Sequence, residues 1–377
     1  MNIAFNTSSL KEPLTGLGQY TLHLARSLNQ LQECQLDFFD GIHWTDQIFV
    51  KPKPSTAKYR DLVRDHLPFA YPLKYAFFQY RFSRGSNKKI DLYHEPNYLA
   101  FKSEIPTVIT VHDVSWITYP EVHPASRVRE MNRYFKGCLK QAQHIITDSE
   151  FVKREFIEYF DYPEHKVTSI ALGVDKSFGP RSIEESLNTL QKYSLIYAKY
   201  FLLLGTLEPR KNLIVAINAF LQLPKSYRQE NPLVIVGAKG WLDSDIRKTI
   251  VPLVESGEVR VLGYLPQIEL PDILAGAKAL LFPSIYEGFG LPPLEAMACG
   301  TPVIASNSSS IPEVVGDCGI LLDPKDTEGF SQAMKNITEN LELQNTLSIK
   351  ALERSKQFTW SQCARNTFTV YQQVLGN

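Results

Sequence analysis

Four charged residues have the types and spacing to handle an anionic, hydroxyl-rich ligand. Glu287 and Glu295 stand eight positions apart in EGFGLPPLE, and Arg210 and Lys211 are adjacent in LLLGTLEPRKN. An arginine holds a diphosphate through its planar fork and a lysine adds a compact charge, so the pair could neutralise a departing phosphate group. Carboxylates accept hydrogen bonds from hydroxyls, while the amides of a glycine turn and the positive end of the next helix form an anion site. Phosphate together with hydroxyls describes a nucleotide sugar. The spacing equally fits a solvated Glu287, a Glu295 that complements a helix dipole, and an Arg-Lys pair solvated at a helix start.

Further candidates follow the same logic. Gly16 and Gly18, in PLTGLGQY, precede a helix expected to begin near Gln19, and glycine there lets backbone approach a diphosphate. The third glycine and the acidic residue of a dinucleotide site are missing, which counts against an NAD-dependent dehydrogenase. His112 ends an apolar run in TVITVHDVSW; it is either a ligand-facing histidine or a satisfied core one, and Asp113 beside it could orient it. In ITDSEFVKREF, Ser149 reads as a helix N-cap. Asp243-x-Asp245 has the spacing of a metal-binding pair but opens a helix, where acidic residues suit the dipole, so no metal is expected.

These residues need a scaffold that presents them together. Short apolar runs alternate with helix-length amphipathic stretches, the pattern of parallel sheets covered by helices. The runs at 3–5, 36–39, 92–93, 107–111, 145–147 and 167–170 predict one set of strands. Those at 201–204, 233–236, 259–262, 279–282, 303–305 and 319–322 predict a second. Residues 172–182, LGVDKSFGPRS, lose periodicity and read as a linker. The chain of 377 residues thus predicts two Rossmann-like, doubly wound α/β domains facing across a cleft, over 1–172 and 183–357. Ligands in such sheets lie beyond the carboxyl ends of strands, where Arg210, Glu287 and His112 fall. Pro292 and Pro293 can open the helix that carries Glu295, and Gly300 can stop it.

Formal charge is zero overall, which argues against a nucleic-acid coat. Residues 51–89 depart from that average: ten basic residues against two acidic ones leave +8, interleaved with Phe69, Tyr71, Tyr75, Phe77, Phe78, Tyr80 and Phe82. The mixture fits an anionic membrane surface, with Arg81, Arg84, Lys88 and Lys89 as its cations, and no nucleic acid is expected. An ordinary helix, aromatics inward and charges outward, fits equally. Five scattered cysteines with no paired spacing read as reduced thiols of a cytoplasmic protein, and no secretory leader or 18-residue apolar span appears.

EGFGLPPLE resembles the E-x7-E motif of the retaining glycosyltransferases of family 4, which have the glycosyltransferase B architecture, and GTLEPRKN is similar to that family's G-x-x-x-x-R-K-N region. The resemblance covers most of the chain and is faintest over 51–89. It implies a metal-independent hexosyltransferase without a cofactor, in which Arg210 and Lys211 serve the leaving diphosphate. Glu287 and His112 would orient the transferred sugar, Gly205, Thr206 and the Gly288, Phe289, Gly290 and Leu291 amides would line the donor, and Glu295 would grip the ribose. Gly16 and Gly18 would cover the donor phosphates, Tyr264 and Leu265 would lie at the base, and Tyr20 and Asp113 would sit toward the acceptor. FTWSQCARNTFTVYQQVL resembles the final helix, at 358–377, that returns to the first domain. The motifs TGLGQY, HEPNYL and VHDVSW look like those of bacterial O-antigen mannosyltransferases. They imply GDP-mannose as donor and a lipid-linked glycan as acceptor, on a cytoplasmic enzyme touching the inner membrane. UDP-glucose, dTDP-rhamnose, a non-catalytic carbohydrate-binding scaffold and a sugar-nucleotide epimerase remain alternatives.

Overall fold

The computed structural model describes residues 1–52, 70–86, 88–238 and 244–376, with backbone alone at 70–72 and 244–248. The chain divides into two compact units, Met1–Gly173 with Trp360–Asn377, and Val174–Thr359.

The first unit holds seven strands: β1 (Asn2–Asn6), β2 (Gln35–Phe39), β3 (Trp44–Thr45), β4 (Leu92–Glu95), β5 (Thr107–Val111), β6 (Ala142–Thr147) and β7 (Val167–Ser169). They lie in the order β3-β2-β1-β4-β5-β6-β7, parallel throughout except for β3. Periodicity gave no sign of β3, a two-residue antiparallel edge held to Phe38 and Phe39. The helix Gly16–Leu28 starts three residues before Gln19, so both loop glycines fall inside its first turn. Its buried residues, among them Tyr20, Leu24 and Leu28, recur at helical spacing and cover the sheet. The last helix, Trp360–Leu375, belongs to this unit: the Trp360 ring stacks on His23 at 5.2 Å, and the Tyr371 hydroxyl lies 2.6 Å from His94 Nδ1.

The second unit carries β8 (Phe201–Leu204), β9 (Leu233–Val236), β10 (Val259–Gly263), β11 (Ala279–Phe282), β12 (Val303–Ser306) and β13 (Ile320–Leu322). Their order is β10-β9-β8-β11-β12-β13, all parallel. Two apolar clusters, one around Leu202, Leu280 and Met297 and one around Leu203, Leu281 and Met334, cover opposite faces. That double burial explains why the inner strands β8, β9, β11 and β12 are continuous apolar runs. Residues 174–182 of the expected linker belong to this unit: the Val174 amide donates to Phe358 O. Ser182 and Glu185 form a capping box on the helix Ile183–Lys192, which fixes where periodicity resumes.

All five cysteines are buried and unpaired. Among the described residues, no helix is long and apolar enough to cross a membrane.

Candidate active site

In the second unit, the loops after β8 and β11 bring the predicted cations and Glu287 into direct contact. Gly205 leaves β8 with φ +146°, and a Cβ there would meet Lys211 Cε at 3.3 Å, so the lysine stem crosses a position that suits glycine. Asn212, in the left-handed region at φ +53°, ends the turn and donates from Nδ2 to Pro283 O and Pro324 O at 3.1 and 2.7 Å. Arg210 Nη1 reaches Glu287 Oε2 at 2.8 Å and Tyr286 O at 2.6 Å, and Nη2 reaches Glu208 Oε1 at 2.6 Å. Lys211 Nζ donates to Glu287 Oε1 at 2.7 Å and sits 4.8 Å from the centre of the Phe282 ring.

Glu287 is therefore buried, 7% exposed, and clamped by two cations instead of standing free at a turn tip. Burial alone would raise its pKa, yet the Arg210 and Lys211 charges hold it down at about 2. Serines from the loop after β12 fix its backbone: the Glu287 amide donates to Ser309 Oγ at 2.9 Å, and Ser310 Oγ lies 2.8 Å from both Glu287 O and Phe289 O. Spacing in the sequence signalled neither these serines nor the role of Glu208.

The helix Leu291–Ala298 follows, with prolines in its first turn and Gly290 before it at φ +118°. Gly300 ends it at φ +76°, its amide donating to Met297 O. Glu295 lies one turn in and is half-buried; burial and, secondarily, Asp175 push its carboxyl up to about 8. At neutral pH that side chain is mostly protonated, able to donate as well as accept from a hydroxyl. Of the two residues expected at the base, Tyr264 is 49% exposed, whereas Leu265 is in the core. Phe289 is buried too, its ring packing edge-on against Phe358.

In the first unit, His112 follows β5 and is buried, with Nδ1 2.7 Å from Asp148 Oδ2 and Nε2 2.7 Å from Pro96 O. Nδ1 faces a carboxyl whose own pKa burial raises, and Nε2 faces a backbone carbonyl, so both ring nitrogens are engaged within the first unit. Burial, the largest single influence, lowers the histidine pKa, but the charge and hydrogen bond of Asp148, the bond to Pro96 O and the Asp113 charge together outweigh it and the net shift is upward. Asp148 follows β6, so the strand-end rule that singled out His112 applies to its partner as well. Asp113, considered as the group that orients His112, accepts from the Ser115 amide and hydroxyl at 3.1 and 2.8 Å. Tyr20, expected toward the acceptor, is instead core: 1% exposed, hydroxyl 2.9 Å from Thr110 Oγ1, ring edge-on to His112 at 4.7 Å. Gly18 is buried, and a Cβ there would meet Leu14 Cδ2 at 2.8 Å; Gly16 has open space. Ser149 caps its helix by accepting from the Val152 amide.

In the basic aromatic segment, 53–69 and 87 lie outside the described residues. The helix Ala70–Ser83 turns Phe82 into the core and leaves Leu73, Phe77 and Tyr80 exposed at 70%, 49% and 53%. Arg81 is not a free surface cation, because its Nε donates to Ile42 O at 2.8 Å. Arg84 lies 5.1 Å from the Tyr80 ring, Lys88 is 3.9 Å from Asp37, and Lys88 and Lys89 are exposed. Asp243 and the Asp245 side chain lie outside the described residues; among those described, no group of three or more His, Cys, Asp or Glu could hold a metal ion.

Family models match both units. The model for glycosyl transferases group 1 matches residues 194–354, and that for glycosyltransferase family 4 matches residues 14–178. The chain is 37% identical to the O-antigen chain mannosyltransferase B of Escherichia coli over 98% of this chain and 99% of that one. It is 26% identical to the O-antigen chain mannosyltransferase RfbU of Salmonella typhimurium, over 89% and 90%. Among solved structures it resembles a sucrose-phosphate synthase from Thermosynechococcus elongatus, with a TM-score of 0.77, 21% identity, and 100% and 99% of the two chains covered.

Proposed function

The chain belongs to glycosyltransferase family 4, and we propose that it moves mannose from GDP-mannose, with retention, onto a hydroxyl of a growing lipid-linked O-antigen glycan. The observation that carries this reading is the Arg210–Glu287–Lys211 cluster at the strand ends of the second unit. The near full-length relationship to an O-antigen chain mannosyltransferase supports the sugar and the glycan.

Arg210 and Lys211 neutralise the charge that builds on the leaving diphosphate, a preorganised electrostatic contribution. Glu287, kept ionised by the same cations, accepts hydrogen bonds from the sugar hydroxyls, and Glu295 engages the ribose. The serine-pinned loop holds the Glu287 carboxylate in one place, which limits reorganisation when the donor binds. His112, with both ring nitrogens engaged by Asp148 and Pro96 O, offers no free donor and acts through its ring and through whatever charge it shares with Asp148. Attack from the face the nucleotide leaves, with the leaving phosphate oxygen taking the acceptor's proton, accounts for retention without a covalent intermediate.

The exposed Leu73, Phe77 and Tyr80, with Arg84, Lys88 and Lys89, support a patch that rests on anionic lipid, where a lipid-linked acceptor would reside. The test of function is transfer to a mannose-terminated acceptor from GDP-mannose, UDP-glucose and dTDP-rhamnose in parallel. Product from GDP-mannose with the donor's anomeric configuration is expected. Product from another donor alone overturns the donor assignment, and the inverted anomer overturns the mechanism.

A further inference from the structure

A chain of buried polar side chains runs through the core of the first unit. It starts on the final helix, Trp360–Leu375, where the Tyr371 hydroxyl lies 2.6 Å from His94 Nδ1. It crosses from β4 to β5, where His94 Nε2 lies 2.8 Å from Thr110 Oγ1. It ends on the helix Gly16–Leu28, where the Tyr20 hydroxyl lies 2.9 Å from the same Thr110 oxygen. His94, Thr110 and Tyr371 are 0% exposed and Tyr20 is 1% exposed, so water has no part in holding these groups.

Burial pushes both phenols up and the His94 imidazole down to about 3, so every member is neutral at neutral pH. A neutral imidazole has one donor and one acceptor nitrogen, so whichever neighbour donates to the ring, the other must accept from it. Tyr371 and Thr110 are tied together through His94 in this way. Apolar groups of the same shapes would fill the core about as well, because replacing both partners of a buried hydrogen bond is nearly neutral for stability. What a satisfied polar chain adds is one fixed arrangement of its members.

That arrangement is delivered to His112. Thr110 stands two residues before the histidine and holds both of the rings that flank it. Its hydroxyl bonds Tyr20, whose ring is edge-on to His112 at 4.7 Å. Its carbonyl accepts from the Tyr98 amide at 3.2 Å, and the Tyr98 ring is edge-on to His112 at 5.5 Å. Tyr98 keeps φ +60°, a strained value for a bulky residue that persists only where its surroundings impose it. The final helix reaches Tyr20 a second time through Trp360, with ring centres 6.2 Å apart. Asp148 and Pro96 O engage both His112 nitrogens, so the placement of the ring itself is what these neighbours control.

We propose that Thr110, His94 and Tyr371 are positioning residues of the transferase: acting through Tyr20 and Tyr98, they hold the His112 ring where transfer requires it, so turnover depends on how the final helix is seated. The inference rests on the transferase reading and on the part His112 plays in it, but the signals of the histidine test it without turnover.

Three variants of the full chain carry the test. Tyr371→Phe removes the terminal hydroxyl, Thr110→Val removes the central one from a side chain of nearly the same shape, and Thr110→Ser keeps it. Imidazole proton–nitrogen spectra of histidine-labelled protein, with the His112 signals identified by His112→Asn, should show those signals displaced in Tyr371→Phe and Thr110→Val. They should return near their wild-type positions in Thr110→Ser, while the signals of exposed His165 stay in place throughout. With GDP-mannose and a mannose-terminated acceptor, kcat should fall about fivefold in the first two variants, the share of one hydrogen bond, with the donor KM within about twofold of wild type. Thr110→Ser should recover most of that loss. Breaking the chain at two separate points keeps the test decisive if one variant does not fold. His112 signals that stay in place, or a wild-type kcat in a variant that melts lower, overturns the inference, because the chain would then serve the core alone. Absence of turnover in the wild type counts against the transferase reading, and the His112 signals then decide the inference.

Discussion

Replacing Glu287 by glutamine removes one charge from a buried cluster of four, Glu208, Arg210, Lys211 and Glu287, and leaves side-chain shape almost unchanged. The carboxyl is held at about 2 against an ordinary 4.5, so the folded state prefers the ionised form by about 3 kcal/mol at neutral pH. Breaking a buried pair from one side costs about 3–5 kcal/mol in general, the same range. Because the folded pKa lies below the unfolded one, this stability is fully present above about pH 4.5 and is lost as pH falls toward 2. For a unit of this size, about 3 kcal/mol corresponds to a fall in melting temperature of about 6–12 °C. Scanning calorimetry of wild type and Glu287→Gln at pH 7 and pH 3.5 should show that gap in the second unit's transition at pH 7. By pH 3.5 it should have narrowed by about two-fifths. A variant that melts within 1 °C of wild type at pH 7, or a gap that stays constant between the two pH values, would refute the reasoning.

Two other perturbations follow from the first unit. Asp148→Asn leaves His112 buried without its counter-charge, at an expected cost of about 3–5 kcal/mol at pH 6. The raised His112 pKa stabilises below its unfolded value and is lost as pH rises through the folded one, so thermal melts should converge with wild type at alkaline pH and diverge at pH 6; a pH-independent gap contradicts the pairing. Replacing Arg84, Lys88 and Lys89 together with serine should weaken sedimentation with anionic vesicles by about 10²-fold, at about 1 kcal/mol per cation. Unchanged sedimentation removes the membrane patch.

The inner strands of the second unit were legible almost to the residue because they are buried on both faces and spell unbroken apolar runs; 201–204, 233–236 and 279–282 match β8, β9 and β11. The Glu295 helix was legible because prolines and Gly300 punctuate it. Trp44–Thr45 escaped notice because two residues carry no period. The pairing of Glu287 with Arg210 and Lys211, 77 and 76 positions apart, depends on β8 and β11 being neighbours in the sheet, information no local spacing contains. Asp148 and Thr110 were missed for the same reason: each becomes notable only when strand order places it beside its partner. The burial of Tyr20 was not legible either, since membership in a suggestive motif said nothing about which face of its helix it occupies.

The measurement closest to the central claim is the rate of mannosyl transfer from GDP-mannose to a mannose-terminated acceptor by wild type and by Arg210→Ala. Loss of one preorganised charge partner predicts a fall in turnover on the order of 10² or more, with retained configuration in whatever product forms. Near-normal turnover in Arg210→Ala would contradict the account, because the charge on the leaving diphosphate would then be met by something other than this cluster.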